Sequence, residues 1–62
     1  MYLLKLMNSQ FHIYQQIPCT DIDTAQKISR DLDARIYVIT KLIFVKQELV
    51  RELPVIICDL SK

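Results

Sequence analysis

The protein has 62 residues, of which 52% are apolar and 24% are charged, and it contains neither glycine nor tryptophan. A chain of this length is at most one small domain, so we expect residues 1–62 to form a single α+β domain that is marginally stable alone. The apolar content excludes a disordered chain, and the formal net charge of +1 is weak for a protein that binds nucleic acids or anionic membranes.

Two strands are predicted at the N-terminus. Residues 2–7 and 11–17 are apolar or alternating, and the polar segment Asn8-Ser9-Gln10 between them predicts a turn. Pairing Asn8 with Phe11 places Leu6 opposite Ile13 and collects apolar residues on one face. Because the chain lacks glycine, we expect Asn8 or a neighbour to adopt any positive φ that the turn needs.

A helix is predicted over residues 21–33, because Pro18 ends the preceding strand and Thr20 with Asp23 fits a capping box. Four apolar residues recur at helical spacing and predict one buried stripe. They are Ile22, Ala25, Ile28 and Leu32.

Residues 35–39 and 55–60 are predicted strands, whereas residues 40–53 are ambiguous. In that segment Leu42, Val45, Leu49 and Leu53 share a helical face, which favours a helix, but residues 42–45 also fit a strand. Pro54 ends the segment in either case. The expected fold is a single-layer sheet of four to five strands with one or two helices packed on it, in the order ββαβαβ or, with an extended segment, ββαβββ.

The sequence contains no recognisable catalytic or cofactor-binding motif, so we expect a protein that is not an enzyme and has no cofactor or metal. Without glycine there is no phosphate-binding loop and no nucleophile elbow. The N-terminal residues lack the pattern of a signal peptide, so we expect a cytoplasmic protein with free thiols at Cys19 and Cys58. A minor hypothesis is a nucleophilic thiolate at Cys19, whose pKa a helix N-terminus would lower.

A second hypothesis is a small nucleic-acid-binding regulator that assembles as a dimer. Its candidate residues are the basic side chains around the end of the predicted helix and after the next strand, namely Lys27, Arg30, Arg35 and Lys41. A solvated helix face is the favoured explanation of the basic side chains. Tyr2, Tyr14 and Tyr37 could stack on nucleic-acid bases, but no basic groove lies beside them.

The leading hypothesis is a protein-interaction module that acts as a homodimer or as a small inhibitor or adaptor on a larger protein. The apolar residues exceed what one helical stripe covers, and such a surplus is typical of an association surface. The alternative is that a second helix covers the far side of the sheet. The candidate contact residues are Leu3, Met7, Tyr14, Tyr37, Phe44 and Ile56.

Overall fold

In the computed structural model, which describes residues 1–60, the chain forms a four-stranded sheet with one helix packed on it. The elements are β1 (Tyr2–Met7), β2 (Ile13–Cys19), α1 (Ile22–Asp31), β3 (Ile36–Val45) and β4 (Glu48–Asp59). The spatial order is β2-β1-β3-β4, and every neighbouring pair is antiparallel. This confirms the α+β class, but the element order is ββαββ and both predicted orders are wrong.

The favoured helix over residues 40–53 is wrong because this segment is a β-hairpin. Residues 40–45 continue β3, and residues 48–53 begin β4. Lys46 and Gln47 connect the two strands with φ values of 51° and 69°, and two consecutive positive φ angles match the right-handed twist of a two-residue hairpin. The β-branched and aromatic run at residues 42–45 therefore outweighed the helical spacing of its leucines.

Pro54 and Pro18 also lie inside strands, where the sequence predicted that they would end them. Pro54 is in β4 and Pro18 is in β2, the two edge strands of the sheet. An edge strand has one side without a neighbour, so it accommodates the missing proline N–H.

The β1–β2 hairpin forms with a register different from the predicted one. Leu6 lies opposite Gln15, and a bulge at Tyr14 then brings Met7 opposite Ile13. The turn is organised by Asn8, whose side-chain Oδ1 accepts hydrogen bonds from the backbone N–H groups of residues 10 and 12 at 2.9 and 3.0 Å. The positive φ of 63° belongs to Phe11.

Helix α1 is capped by side-chain and backbone hydrogen bonds at its two ends. The N-cap is Asp21 rather than Thr20, and its carboxylate accepts a hydrogen bond from the Thr24 N–H at 2.7 Å. At the other end, Asp33 adopts a φ of 51° and the Ala34 N–H donates to the Ser29 carbonyl at 2.9 Å, as in a Schellman motif.

The core lies between α1 and one face of the sheet. Leu4 and Ile39, which lie opposite each other on the two central strands, have no exposed surface. The predicted helical stripe is partly wrong, because Leu32 is 53% exposed whereas Ser29 is buried. The other members of the buried cluster are Leu6, Cys19 and Ala25.

Candidate functional site: the open face of the sheet

The two faces of the sheet differ in what covers them. Directly opposed residues on neighbouring strands point to the same face, and successive residues of a strand alternate between faces. The face with Leu4 and Ile39 lies under α1, which contacts β1, β2 and β3 but not β4. On the other face, here called the open face, no element within residues 1–60 packs. Its apolar side chains include Leu3, Met7, Val38, Leu42, Phe44 and Ile57, and the register places Ile13, Ile36 and Leu49 on the same face.

The open face is apolar and accessible. Ile57 is 72% exposed and Phe44 is 46% exposed, while Leu3, Met7 and Val38 are half-buried. These residues come from three adjacent strands and lie on both sides of the charged side chains of Lys5 and Glu52. Clusters of this kind are uncommon on proteins that act alone and typically mark association surfaces.

An ion pair crosses the open face. The Lys5 ammonium lies 3.2 Å from a carboxylate oxygen of Glu52, although β1 and β4 are not neighbours and β3 runs between them. Lys5 is level with Val38, and Glu52 is level with Leu42, so the pair spans the position of Thr40. Thr40 is 3% exposed, and its burial on this face is consistent with the ion pair lying over it.

The six predicted contact residues divide between the two faces. Leu3, Met7 and Phe44 lie on the open face, and Tyr14 is 62% exposed at the bulge of β2. Tyr37 and Ile56 lie on the helix-covered face and pack against the core.

Val38, Leu42 and Ile57 lie on the open face but are not among the contact residues predicted from the sequence. Strand β3 carries the signal for the first two, since its even-numbered positions from 36 to 44 face away from α1. That signal could be used only once residues 40–45 were known to be extended. Ile57 follows from its pairing with Val38.

Both edges of the sheet carry features that hinder pairing with a further strand. Strand β2 contains Pro18 and a bulge near Met7. Strand β4 contains Pro54 and two irregularities in its pairing with β3, next to Thr40 and Phe44. Prolines, bulges and charged side chains on edge strands are known devices against edge-to-edge association.

The structure does not bring the four basic candidate residues into one patch. Lys27 and Arg30 are exposed on α1, and Arg35 follows the helix. Lys41 lies in the middle of β3, six residues from Arg35, which corresponds to roughly 20 Å of extended strand. The arrangement therefore gives the nucleic-acid hypothesis no continuous basic surface.

The two thiols are free and far apart. Cys19 is on edge strand β2 and Cys58 on edge strand β4, so three strand spacings of about 4.8 Å separate them and exclude a disulfide. Burial, with a smaller contribution from the negative charge of Asp21, raises the pKa of Cys19. This direction is opposite to the lowering of the pKa that a helix N-terminus would produce, so it gives the thiolate hypothesis no support.

Other kinds of site receive little support from the described part of the chain. A shallow depression is lined by Leu49, Val50, Arg51 and Glu52, four consecutive residues of one strand. Residues 1–60 contain no group of three or more histidine, cysteine or carboxylate side chains placed to hold a metal ion. In the same range no helix has the length and hydropathy needed to cross a membrane.

Comparison with known proteins adds no relative: the chain matches no family model, no curated protein and no solved structure.

Proposed function

We propose that the protein is a non-enzymatic protein-interaction module whose binding surface is the open face. It acts as a homodimer or as a small inhibitor or adaptor on a larger protein. The supporting observation is that Ile57, at 72% exposure, lies in register with Val38 on a face that no element within the described residues covers.

The shape of the open face favours a protein over a small molecule as its ligand. Small-molecule sites are concave and enclose most of the ligand, whereas a sheet face offers an extended surface. A protein partner with apolar side chains of its own removes the surface of Ile57 and Phe44 from water, at about 25 cal/mol for each Å² buried.

Site-specific photo-crosslinking in living cells tests this function. A photoreactive phenylalanine analogue replaces Ile57 in one variant and Leu32 in a matched control, since Leu32 is also exposed, at 53%, but lies at the end of α1. We expect discrete protein adducts from position 57 and not from position 32. Absence of adducts at position 57, or equal adducts at both positions, would contradict the proposal.

A further inference from the structure

We infer that the partner covering the open face is a second copy of this chain, packed face to face so that two four-stranded sheets form a sandwich. This inference rests on the proposed function and names its partner. Stacked sheets lie about 10 Å apart, with side chains of the two inner faces interdigitating.

The features of the sheet edges favour face-to-face packing over a continuous sheet through two edges. Pairing of two β4 strands would have to accommodate Pro54 and the irregular pairing of that strand with β3. Pairing through β2 meets Pro18 and the bulge at Tyr14. Neither obstacle affects an approach along the sheet normal, where Ile57 and Val38 are presented.

The charge on the open face suits a second copy of the same surface. Lys5 and Glu52 neutralise each other within one chain, and their side chains are 22% and 40% exposed. Consider a two-fold axis that is parallel to the sheet, perpendicular to the line from Lys5 to Glu52, and passes over the midpoint of that line. This axis places the ammonium of each copy opposite the carboxylate of the other copy. Like charges are then kept apart, and the two ion pairs form a ring of four alternating charges.

The dimensions of the molecule set an upper bound on the area of the open face. The two longer dimensions of the molecule are 40 and 22 Å, which bound a face of roughly 880 Å², while a stable complex of standard size buries about 800 Å² on each partner. The third dimension, 17 Å, corresponds to one sheet with one layered helix. A symmetric dimer of standard size is therefore within this upper bound and would need most of the open face.

Charge complementation between two variants tests the inference. Lys5→Glu gives a face with two negative charges, and Glu52→Lys gives one with two positive charges. We expect the purified wild-type chain to be a dimer by sedimentation equilibrium. For each variant alone, the dissociation constant of the dimer should be about a hundredfold higher than that of the wild type, because like charges meet within and between copies. Mixing the two variants should restore a dimer that contains one copy of each.

A matched control uses the exposed helix surface, where Asp23 and Lys27 are four residues apart. Asp23→Lys and Lys27→Asp change charge by the same amounts without touching the open face, and both should remain dimeric. Ile57→Lys supplies a second route to dissociation that leaves the ion pair intact. Far-UV circular dichroism establishes that each variant is folded.

Three outcomes overturn the inference: a wild-type monomer at 100 μM, a dimer insensitive to both Ile57→Lys and the charge variants, or equal weakening by the helix controls. These outcomes are distinguishable from failure of the proposed function. If the chain is monomeric but the photoreactive group at position 57 still yields adducts with another protein, the function stands and the second copy does not.

Discussion

Leu4 and Ile39 lie directly opposite each other on the two central strands, and neither has any exposed surface. Both side chains point toward α1, where Ala25 also has no exposed surface. The small alanine on the helix lets the two larger side chains fill the space between helix and sheet. This contact is the centre of the core.

Truncation of Leu4 or Ile39 is expected to lower the free energy of unfolding. Leu4→Ala removes buried apolar volume and should lower the free energy of unfolding by about 2–5 kcal/mol, which approaches the whole stability of a chain this small. Ile39→Val removes a single methyl group and should cost about 1 kcal/mol. Leu32→Ala, at an exposed position, is the control. Urea unfolding at one fixed protein concentration measures all three, and equal losses would contradict the assigned core.

The turn at Lys46 and Gln47 offers a stabilising substitution. Gln47 has a φ of 69°, a left-handed conformation that costs a residue with a Cβ about 1–2 kcal/mol. Gln47→Gly removes that cost and should raise the free energy of unfolding by about 0.5–1 kcal/mol, after allowing for the greater flexibility of glycine in the unfolded chain.

Gln47→Val at the same site is the opposing control for the turn. A β-branched side chain fits a positive φ poorly, so this variant should be less stable than the wild type. Thermal unfolding of the two variants at equal concentration compares them. A lower melting temperature for Gln47→Gly would argue against the two-residue turn.

The N-cap of α1 predicts a specific dependence of stability on pH. The hydrogen bond from the Thr24 N–H lowers the pKa of Asp21, so this carboxylate stabilises the folded state fully above its unfolded-state pKa. The contribution is lost as the pH falls below about 4, through the lower folded-state pKa.

The Asp21→Asn variant separates the pH dependence of stability due to the N-cap from that due to the other carboxylates. Asparagine retains a side-chain acceptor for the helix but does not titrate in this range. The wild type should therefore lose stability relative to Asp21→Asn between about pH 6 and pH 3, measured by urea unfolding, while the remaining carboxylates contribute similarly to both proteins. A constant difference across that range would contradict the assigned cap.

The two cysteines should differ in reactivity. Cys19 is 4% exposed and burial raises its pKa, so little thiolate is available at neutral pH. Cys58 is partly exposed and should be alkylated first. Mass spectrometry during iodoacetamide treatment of the folded protein measures both rates, and a denatured sample is the control. Equal rates in the folded protein would contradict the buried position of Cys19.

The sequence patterns that predict β1 and α1 depend on interactions between near neighbours in the chain. Strand β1 has the predicted bounds of residues 2–7, and α1 lies within the predicted range of residues 21–33. An apolar run or a helical repeat is visible in sequence because each element buries one side. The predicted cap was one residue from the true one, Asp21, because Thr20 and Asp21 both supply a suitable side-chain oxygen.

The open face could be predicted only in part. A surplus of apolar residues is evident from composition, and three of the predicted contact residues, Leu3, Met7 and Phe44, lie on this face. Tyr37 and Ile56 are also predicted contact residues, but they pack against the core. The face on which a strand residue lies depends on the register of its strand. Register in turn depends on bulges such as that at Tyr14, which leave little trace in the sequence.

The sequence by itself determined that this chain is apolar, nearly neutral and without glycine, and that it combines strands with a helix. Because the chain has no glycine, the positive φ angles are adopted by other residues, namely Phe11, Asp33, Lys46 and Gln47. Only the tertiary structure decided that residues 40–53 turn back as a hairpin, since antiparallel pairing of β3 with β4 outweighs the local helical spacing. That hairpin leaves one face of the sheet without a second helix, and the exposed apolar surface there is the basis for proposing a partner.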